Sequence, residues 1–348
     1  MFFLIPGDLQ TRTGGYGYDR RIIDGLRQAG WRVDVRQLDG SFPLPNDAAL
    51  AHAETTLAAI PDDAVVLIDG LALGAMPAQV LRHAARLRIV ALVHHPLAHE
   101  TGLDPQTAAH LHASETAALT AVRHVVVTSR RTVAALAEFS VAPDRISVVE
   151  PGTDRAALAA GSPGNTTELL CVASLTPRKG HRVLFEALAR LRAHDWRLTC
   201  VGSIEREPAS VAGLKDALRD LGIEARVVLA GEADGAQIGT FYDRSDVFVL
   251  PTFYEGFGMV IAEALARGLP VISTPTGGIA ELVTPACGIL VPAGDVAGWT
   301  DALGRMFDAA TRREFRRGAA ARRATLPTWE DACRQMAAAL ARQGSLHG

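Results

Sequence analysis

Residues 251–273 read PTFYEGFGMVIAEALARGLPVIS, and this stretch decides the fold. An apolar run, Val247–Leu250, leads into a turn that carries Glu255 between an aromatic residue and two glycines, Gly256 and Gly258. A helix is expected to open at about Phe257–Met259, to carry Glu263, and to hand over to a second apolar strand at Leu269–Ser273. Strand, turn, helix, strand is the repeating unit of a parallel sheet. The first N–H groups of such a helix point outward with partial positive charge, so they form an anion site. Side chains on a helix tilt toward its start, so Glu263 leans back toward the same place. A carboxylate there repels phosphate but suits the hydroxyls of a ribose or sugar. The pattern therefore fits a ligand with an anionic centre and hydroxyl-bearing ends.

Outward from this stretch, the chain divides into two halves of alternating strands and helices. The first half places strands at about Met1–Ile5, Arg32–Gln37, Ala64–Asp69, Ile89–Val93, His124–Thr128 and Ile146–Val149. Helices are expected at Tyr18–Ala29, Gln79–Leu87 and Arg131–Phe139. The second half restarts with Glu168–Ser174, Arg197–Val201, Val227–Ala230, Val247–Leu250, Val271–Ser273 and Gly288–Val291. Its helices are expected at His181–Ala193, Ala209–Leu221, Val260–Arg267 and Val296–Ala309. The expected division is a first domain over 1–154, a linker over 155–167, a second domain over 168–325 and a last amphipathic helix within 326–348.

Composition narrows the class. A chain of 348 residues with 48% hydrophobic and 21% charged residues is globular and long enough for two domains. A net charge of −3 gives no reason to expect nucleic acid. Cys171, Cys200, Cys287 and Cys333 lie far apart, with no metal-ligand spacing, and read as reduced thiols. The opening MFFLIPG has no basic leader and reads as a first buried strand; a cytoplasmic protein is expected. Lysine is scarce: Lys179 and Lys215 stand against 33 arginines.

Three further segments follow strands, where open parallel sheets bind ligands. The run Ala173–Gly180, ASLTPRKG, puts Arg178 and Lys179 at a strand-to-helix turn, where two cations can neutralise a diphosphate leaving group. A Gly-rich loop, Thr13–Gly17, reads as a site of close backbone approach, but it lacks the third glycine of a dinucleotide fingerprint. Tyr16 and Tyr18 either line an acceptor pocket or pack. His94 and His95 end the strand Ile89–Val93. There is no Asp-x-Asp triplet in strand context, so a metal clamp is not indicated.

Taken together, the turn with Glu255, the paired glycines and Glu263 resembles the Glu-x7-Glu signature of glycosyltransferase family 4, retaining enzymes of the GT-B fold. The resemblance implies two Rossmann-like α/β domains facing a cleft. It implies that Glu255 contacts donor-sugar hydroxyls, Glu263 the ribose, and the amides of Phe257, Gly258 and Met259 the sugar and diphosphate. Lys179 matches the lysine of the family's phosphate-binding segment, while Ser174 stands where an arginine is usual; Arg178 or Ser174 itself then supplies the second contact. Gly14 and Gly15 match the loop near the donor phosphate, and His94, with His95 as fallback, the histidine at the reaction centre. The segments Val149–Asp154 and Pro275–Glu281 resemble scaffold turns, and Gly231–Asp234 sits where the base is gripped. The implied function is a retaining transfer from a nucleoside-diphosphate sugar to a carbohydrate or lipid-linked acceptor, with an α-linkage, no metal and no cofactor beyond the co-substrate. A nucleotide-sugar epimerase or hydrolase on the same fold, or a non-catalytic nucleotide-sugar binder, are the competing readings. Arg82, Arg86 and Arg88 on one short helix suit peripheral contact with an anionic membrane, although a solvated helix face is the plainer reading.

Overall fold

The computed structural model describes residues 1–100 and 102–344. The chain forms two compact units, Met1–Gly152 with the chain from Pro327 onward, and Thr153–Leu326.

The first unit holds β1 (Phe2–Pro6), α1 (Gly14–Gln28), β2 (Asp34–Leu38), α2 (Asp47–Ala58), β3 (Val65–Asp69), α3 (Gly70–Leu73) and α4 (Pro77–His83). It continues with β4 (Arg88–Val93), α5 (Pro105–Ala121), β5 (His124–Val127), α6 (Arg130–Ala135) and β6 (Ile146–Val148). Its sheet runs β2-β1-β3-β4-β5-β6, with every pair parallel. The central strands are continuous apolar runs because both faces are covered: all residues of β4 after Arg88 are buried, as is all of β5. The chain leaves β1 to one side for β2 and returns to the other for β3, so the topological switch point lies between β1 and β3.

The second unit holds β7 (Thr167–Val172), α7 (His181–Ala189), β8 (Trp196–Val201), α8 (Pro208–Asp220), β9 (Val227–Gly231) and α9 (Gly235–Asp243). There follow β10 (Val247–Leu250), α10 (Met259–Ala266), β11 (Val271–Ser273), α11 (Ile279–Leu282), β12 (Gly288–Leu290), α12 (Val296–Phe307) and α13 (Ala309–Arg322). The order β12-β11-β10-β7-β8-β9 is again parallel throughout and puts the switch point between β7 and β10. The last helix, α14 (Trp329–Gly344), belongs to the first unit. There Trp329 lies 6.0 Å from the ring of Tyr18, beneath the Arg21 guanidinium at 5.0 Å, and Arg88 Nη1 donates to Gln343 O at 2.9 Å.

Two expectations need correction. The segment Thr13–Gly17 is not a loop but the opening of α1. Thr13 is its N-cap, accepting from Tyr16 N at 3.3 Å, and Gly14, Gly15 and Gly17 are helical. A good cap outweighs the weak propensity of glycine when the rest of the helix has a buried stripe, here Tyr18, Ile22, Ile23 and Leu26. Nor do the three arginines share one helix: Arg82 is on α4, Arg86 follows it and Arg88 opens β4. Arg82 pairs with Glu54; Arg86 donates to Ile60 O and Leu57 O, each at 2.6 Å; Arg88 holds α14. Arg86 and Arg88 thus fasten carbonyls inside the unit, while Arg82 stays exposed beside Glu54. Helix ends moved too: α7 stops at Ala189, and Arg131–Phe139 is α6 plus a 3-10 turn.

Candidate functional site

In the second unit, the switch point brings together the two segments that the sequence singled out. After β7 the chain makes a 3-10 turn, Pro177–Lys179, and enters α7 through Gly180 in the left-handed region, φ +69°. A Cβ on Gly180 would lie 2.1 Å from Pro251 O, so only glycine lets this turn pass beside the loop after β10. The two loops are tied by main-chain and side-chain bonds. Phe253 N donates to Arg178 O at 2.8 Å, and Arg178 Nη1 donates to Tyr254 O at 2.9 Å. Thr252, wholly buried, bridges its hydroxyl to Tyr254 O at 2.7 Å. Lys179 Nζ then forms an ion pair with Glu255, both side chains less than one-fifth exposed.

Behind Glu255 stands the Pro275–Glu281 turn. Gly278 N donates to Gly256 O at 2.9 Å, and a Cβ on Gly277 would lie 1.5 Å from Glu255 O. The turn therefore props the loop that presents Glu255. α10 starts at Gly258, φ +95°, with no side-chain cap and no acidic residue in its first turn. Its opening amides are thereby left for an anion. Phe257 is 7% exposed and packs in the core, so its main chain, not its ring, faces the site.

Glu263, one turn into α10, accepts from the hydroxyl of Tyr242 at 3.0 Å. Tyr242 is fully buried; burial, then the neighbouring Glu263 charge, hold its phenol well above the usual range, so it acts as a donor. Arg267 lies over the same ring at 4.6 Å and donates to Glu263 O at 3.2 Å. A pocket of about 460 Å³ shares Thr176, Gly180 and Phe253 with this site and extends toward Ser210, Leu214 and Gly294.

In the first unit, His94 leaves the end of β4 beside Gly15, whose position a Cβ would bring to 3.6 Å from the imidazole ring. Its Nε2 lies 3.3 Å from Asp19 and 3.5 Å from Asp69. Desolvation pulls the imidazole pKa down, but the hydrogen bonding and charges of Asp19 and Asp69 overcome it and lift it to about 10. Burial pushes Asp19 up to about 7 against the pull of His94. Among the described residues these three side chains also form a cluster whose ligand atoms all lie within 4.8 Å of one another, a spacing a metal ion could use. His95 instead pairs with Glu100 at 3.3 Å, so His94 is the histidine turned toward the buried acids.

The sequence reading missed Asp19, Asp69 and Tyr242. Asp19 carried a signal: it falls on the buried stripe of α1, between Tyr18 and Ile22, where a charge is out of place. Asp69 closes β3 at the carboxyl edge beside the switch point.

Two parallel sheets of this order, each with its loops at the carboxyl edge, define the GT-B fold. Sucrose-phosphate synthase from Thermosynechococcus elongatus superposes with a TM-score of 0.82 at 21% identity, over 98% of each chain. Anabaena HepE in complex with UDP-glucose gives 0.76 at 19%, over 98% of this chain and 100% of that one. Residues 166–309 match the family model described as Glycosyl transferases group 1. Among relatives, the D-inositol 3-phosphate glycosyltransferase of Corynebacterium glutamicum (strain R) is 31% identical over 188 residues, 49% of this chain and 45% of that protein. The MMP alpha-(1->4)-mannosyltransferase of Mycolicibacterium hassiacum is 27% identical over 305 residues, 82% and 72% of the two chains. The matched stretch spans about half the length of the D-inositol 3-phosphate glycosyltransferases. The family 4 resemblance read from the sequence is consistent with the family model and these relatives, and its GT-B fold with the two structures.

Proposed function

We propose that the protein is a retaining glycosyltransferase that moves a sugar from a nucleoside-diphosphate sugar to a carbohydrate or lipid-linked acceptor, leaving an α-glycosidic bond. The observation that carries this reading is the Lys179–Glu255 ion pair beside the uncapped start of α10. When a diphosphate arrives, the α10 amides and Lys179 neutralise it and ease its departure. Arg178 adds long-range charge while one of its nitrogens stays on Tyr254 O. Glu255, released from Lys179, accepts hydrogen bonds from the sugar hydroxyls, and Glu263, held by Tyr242, accepts from the ribose. In the first unit His94, carrying a proton, donates to the substrate instead of acting as a base.

The acceptor oxygen attacks the anomeric carbon from the face the phosphate leaves. The new C–O bond forms as the sugar–phosphate bond breaks, and the acceptor proton passes to the departing phosphate. No carboxylate serves as nucleophile in this scheme. The charge neutralisation assigned to Lys179 and α10 makes a metal unnecessary, and no further cofactor is required. UDP-sugars are the first donors to try, since HepE is described with UDP-glucose. The reading keeps the protein cytoplasmic; no helix among the described residues is long and apolar enough to cross a membrane. With a lipid-linked acceptor it visits the membrane surface peripherally, without a patch from Arg82, Arg86 and Arg88.

Glu255→Ala is expected to lower transfer by roughly 100-fold or more, the scale of losing a group that acts on the transition state. EDTA should leave the wild-type rate unchanged. An unaltered rate in the variant removes Glu255 from the mechanism. A covalent glycosyl adduct, seen by intact mass with donor alone, overturns front-face attack.

A further inference from the structure

Asp19 and Asp69 reach His94 from different elements, α1 and the end of β3, at the switch point of the first unit. Asp19 is fully buried and Asp69 is 2% exposed. Asp69 Oδ1 is already used, accepting from Leu71 N at 2.8 Å as the cap of α3, which fixes the carboxyl and leaves Oδ2 toward the imidazole. Both Asp19 oxygens, and His94 Nε2, are buried atoms that make no well-aligned hydrogen bond to any other group of the protein. Apart from the Leu71 N–H on Asp69, the two carboxyls have each other and that nitrogen to offset the cost of leaving water.

Tyr18 completes the setting. Its ring meets His94 edge-on at 5.4 Å, and its hydroxyl is spent on Val149 O at 3.0 Å. The imidazole is thus held by two acids at Nε2 and by an aromatic edge at its side. Since Nε2 is buried, the 20% of the His94 side chain that meets solvent belongs to its other atoms.

We propose that Asp19 and Asp69 are positioning residues that clamp Nε2 of His94, fixing the ring so that its other nitrogen faces the substrate. This rests on the role given to His94 above. The clamp explains why an acid sits on the apolar stripe of α1 and why Asp69 is locked by a cap. It also makes the ring a fixed donor: a proton on Nε2 lies between two acids, and a second proton on Nδ1 stays available to a ligand oxygen. The acids touch neither substrate nor reacting atoms; they act through His94.

The test is a ¹H–¹⁵N titration of the histidine rings in the full chain, for wild type, Asp19→Asn and Asp69→Asn, with transfer kinetics alongside. In the wild type His94 should keep both ring protons well past neutrality, and each Asn variant should lower its titration midpoint by at least one pH unit. In kinetics, kcat should fall about tenfold or more in Asp19→Asn with KM for donor little changed. The double variant Asp19→Asn/His94→Ala should be no slower than His94→Ala alone. A His94 that titrates at the same pH in all three proteins overturns the clamp, as do losses that multiply in the double variant. Heat released on titrating wild type with Mg²⁺, Mn²⁺ or Zn²⁺, and absent in Asp19→Asn, also overturns it by giving the three groups to a metal. Failure of the donor reading shows differently, as full transfer by Glu255→Ala, and leaves the ring titration untouched.

Discussion

Tyr242 and Glu263 come from α9 and α10, and the phenol ties the carboxylate in place at 3.0 Å while also reaching Val260 O at 3.1 Å. Removing that hydroxyl should free Glu263 to turn without unfolding the unit. Tyr242→Phe is expected to raise KM for donor about three- to tenfold with kcat nearly unchanged, and to cost about 1 kcal/mol of stability. Unchanged KM would separate Glu263 from donor binding. At this scale the sequence was readable where chemistry sits in a loop after a strand. Lys179, Glu255 and His94 each stand in such a place, and Lys179 and Glu255 prove to be partners. It was unreadable where a residue's role depends on a partner from another element. Nothing local in the sequence says that Tyr242 faces Glu263, or that Asp69 faces His94. The lysine and the glutamate are 76 positions apart, and their pairing needs the crossover that sets β7 next to β10.

Among the elements, the twelve strands could be located because nearly all are short apolar runs between turn signals, the polar edge strand β2 excepted, and the ends moved by only a residue or two. Six helices went unnamed: α3 and α11 have four residues each, too few for a periodic pattern, and the other four have separate reasons. α2 and α5 are rich in alanine and threonine, with apolar residues spread around the axis, so no stripe stands out. α9 opens with a capping box, Asp234 with Gln237, but glycines at 235 and 239 mask it. α13 is rich in arginine and alanine, with only Phe315 and Ala319 buried. The Gly277 turn was read as scaffold, and its contact with Glu255 O shows what it supports. Gly277→Ala places a methyl group against that carbonyl in the left-handed region, φ +51°. The variant should lose about 3 kcal/mol of stability, measured by urea unfolding, and most of its transfer activity. Wild-type stability would show that the loop after β10 yields more easily than its packing implies.

For the molecule as a whole, the buried ionisable groups set how stability follows pH. His94 moves from 6.5 to about 10, and Asp19 from 3.8 to about 7, on folding. Both shifts are upward, so the folded chain holds protons that the unfolded chain releases. The His94 contribution is complete below pH 6.5 and disappears as pH climbs through about 10; that of Asp19 is complete below 3.8 and disappears through about 7. Tm should therefore fall steadily from pH 6.5 to 10. His94→Gln should flatten that decline, and a profile in the variant as steep as in wild type would contradict the assignment.

The shortage of lysine has a practical consequence. With Lys179 13% exposed inside the Glu255 pair and Lys215 on the open surface of α8, an amine-selective acylating reagent meets one shielded and one open target besides the chain's first amine. Lys215 calibrates the reagent, and the rate at Lys179 becomes a direct gauge of site occupancy. A nucleotide that seats its phosphates on Lys179 should slow acylation there and leave Lys215 unaffected. Peptide mass spectrometry could then rank candidate donors without any knowledge of the acceptor, using two side chains that nature has already made unique.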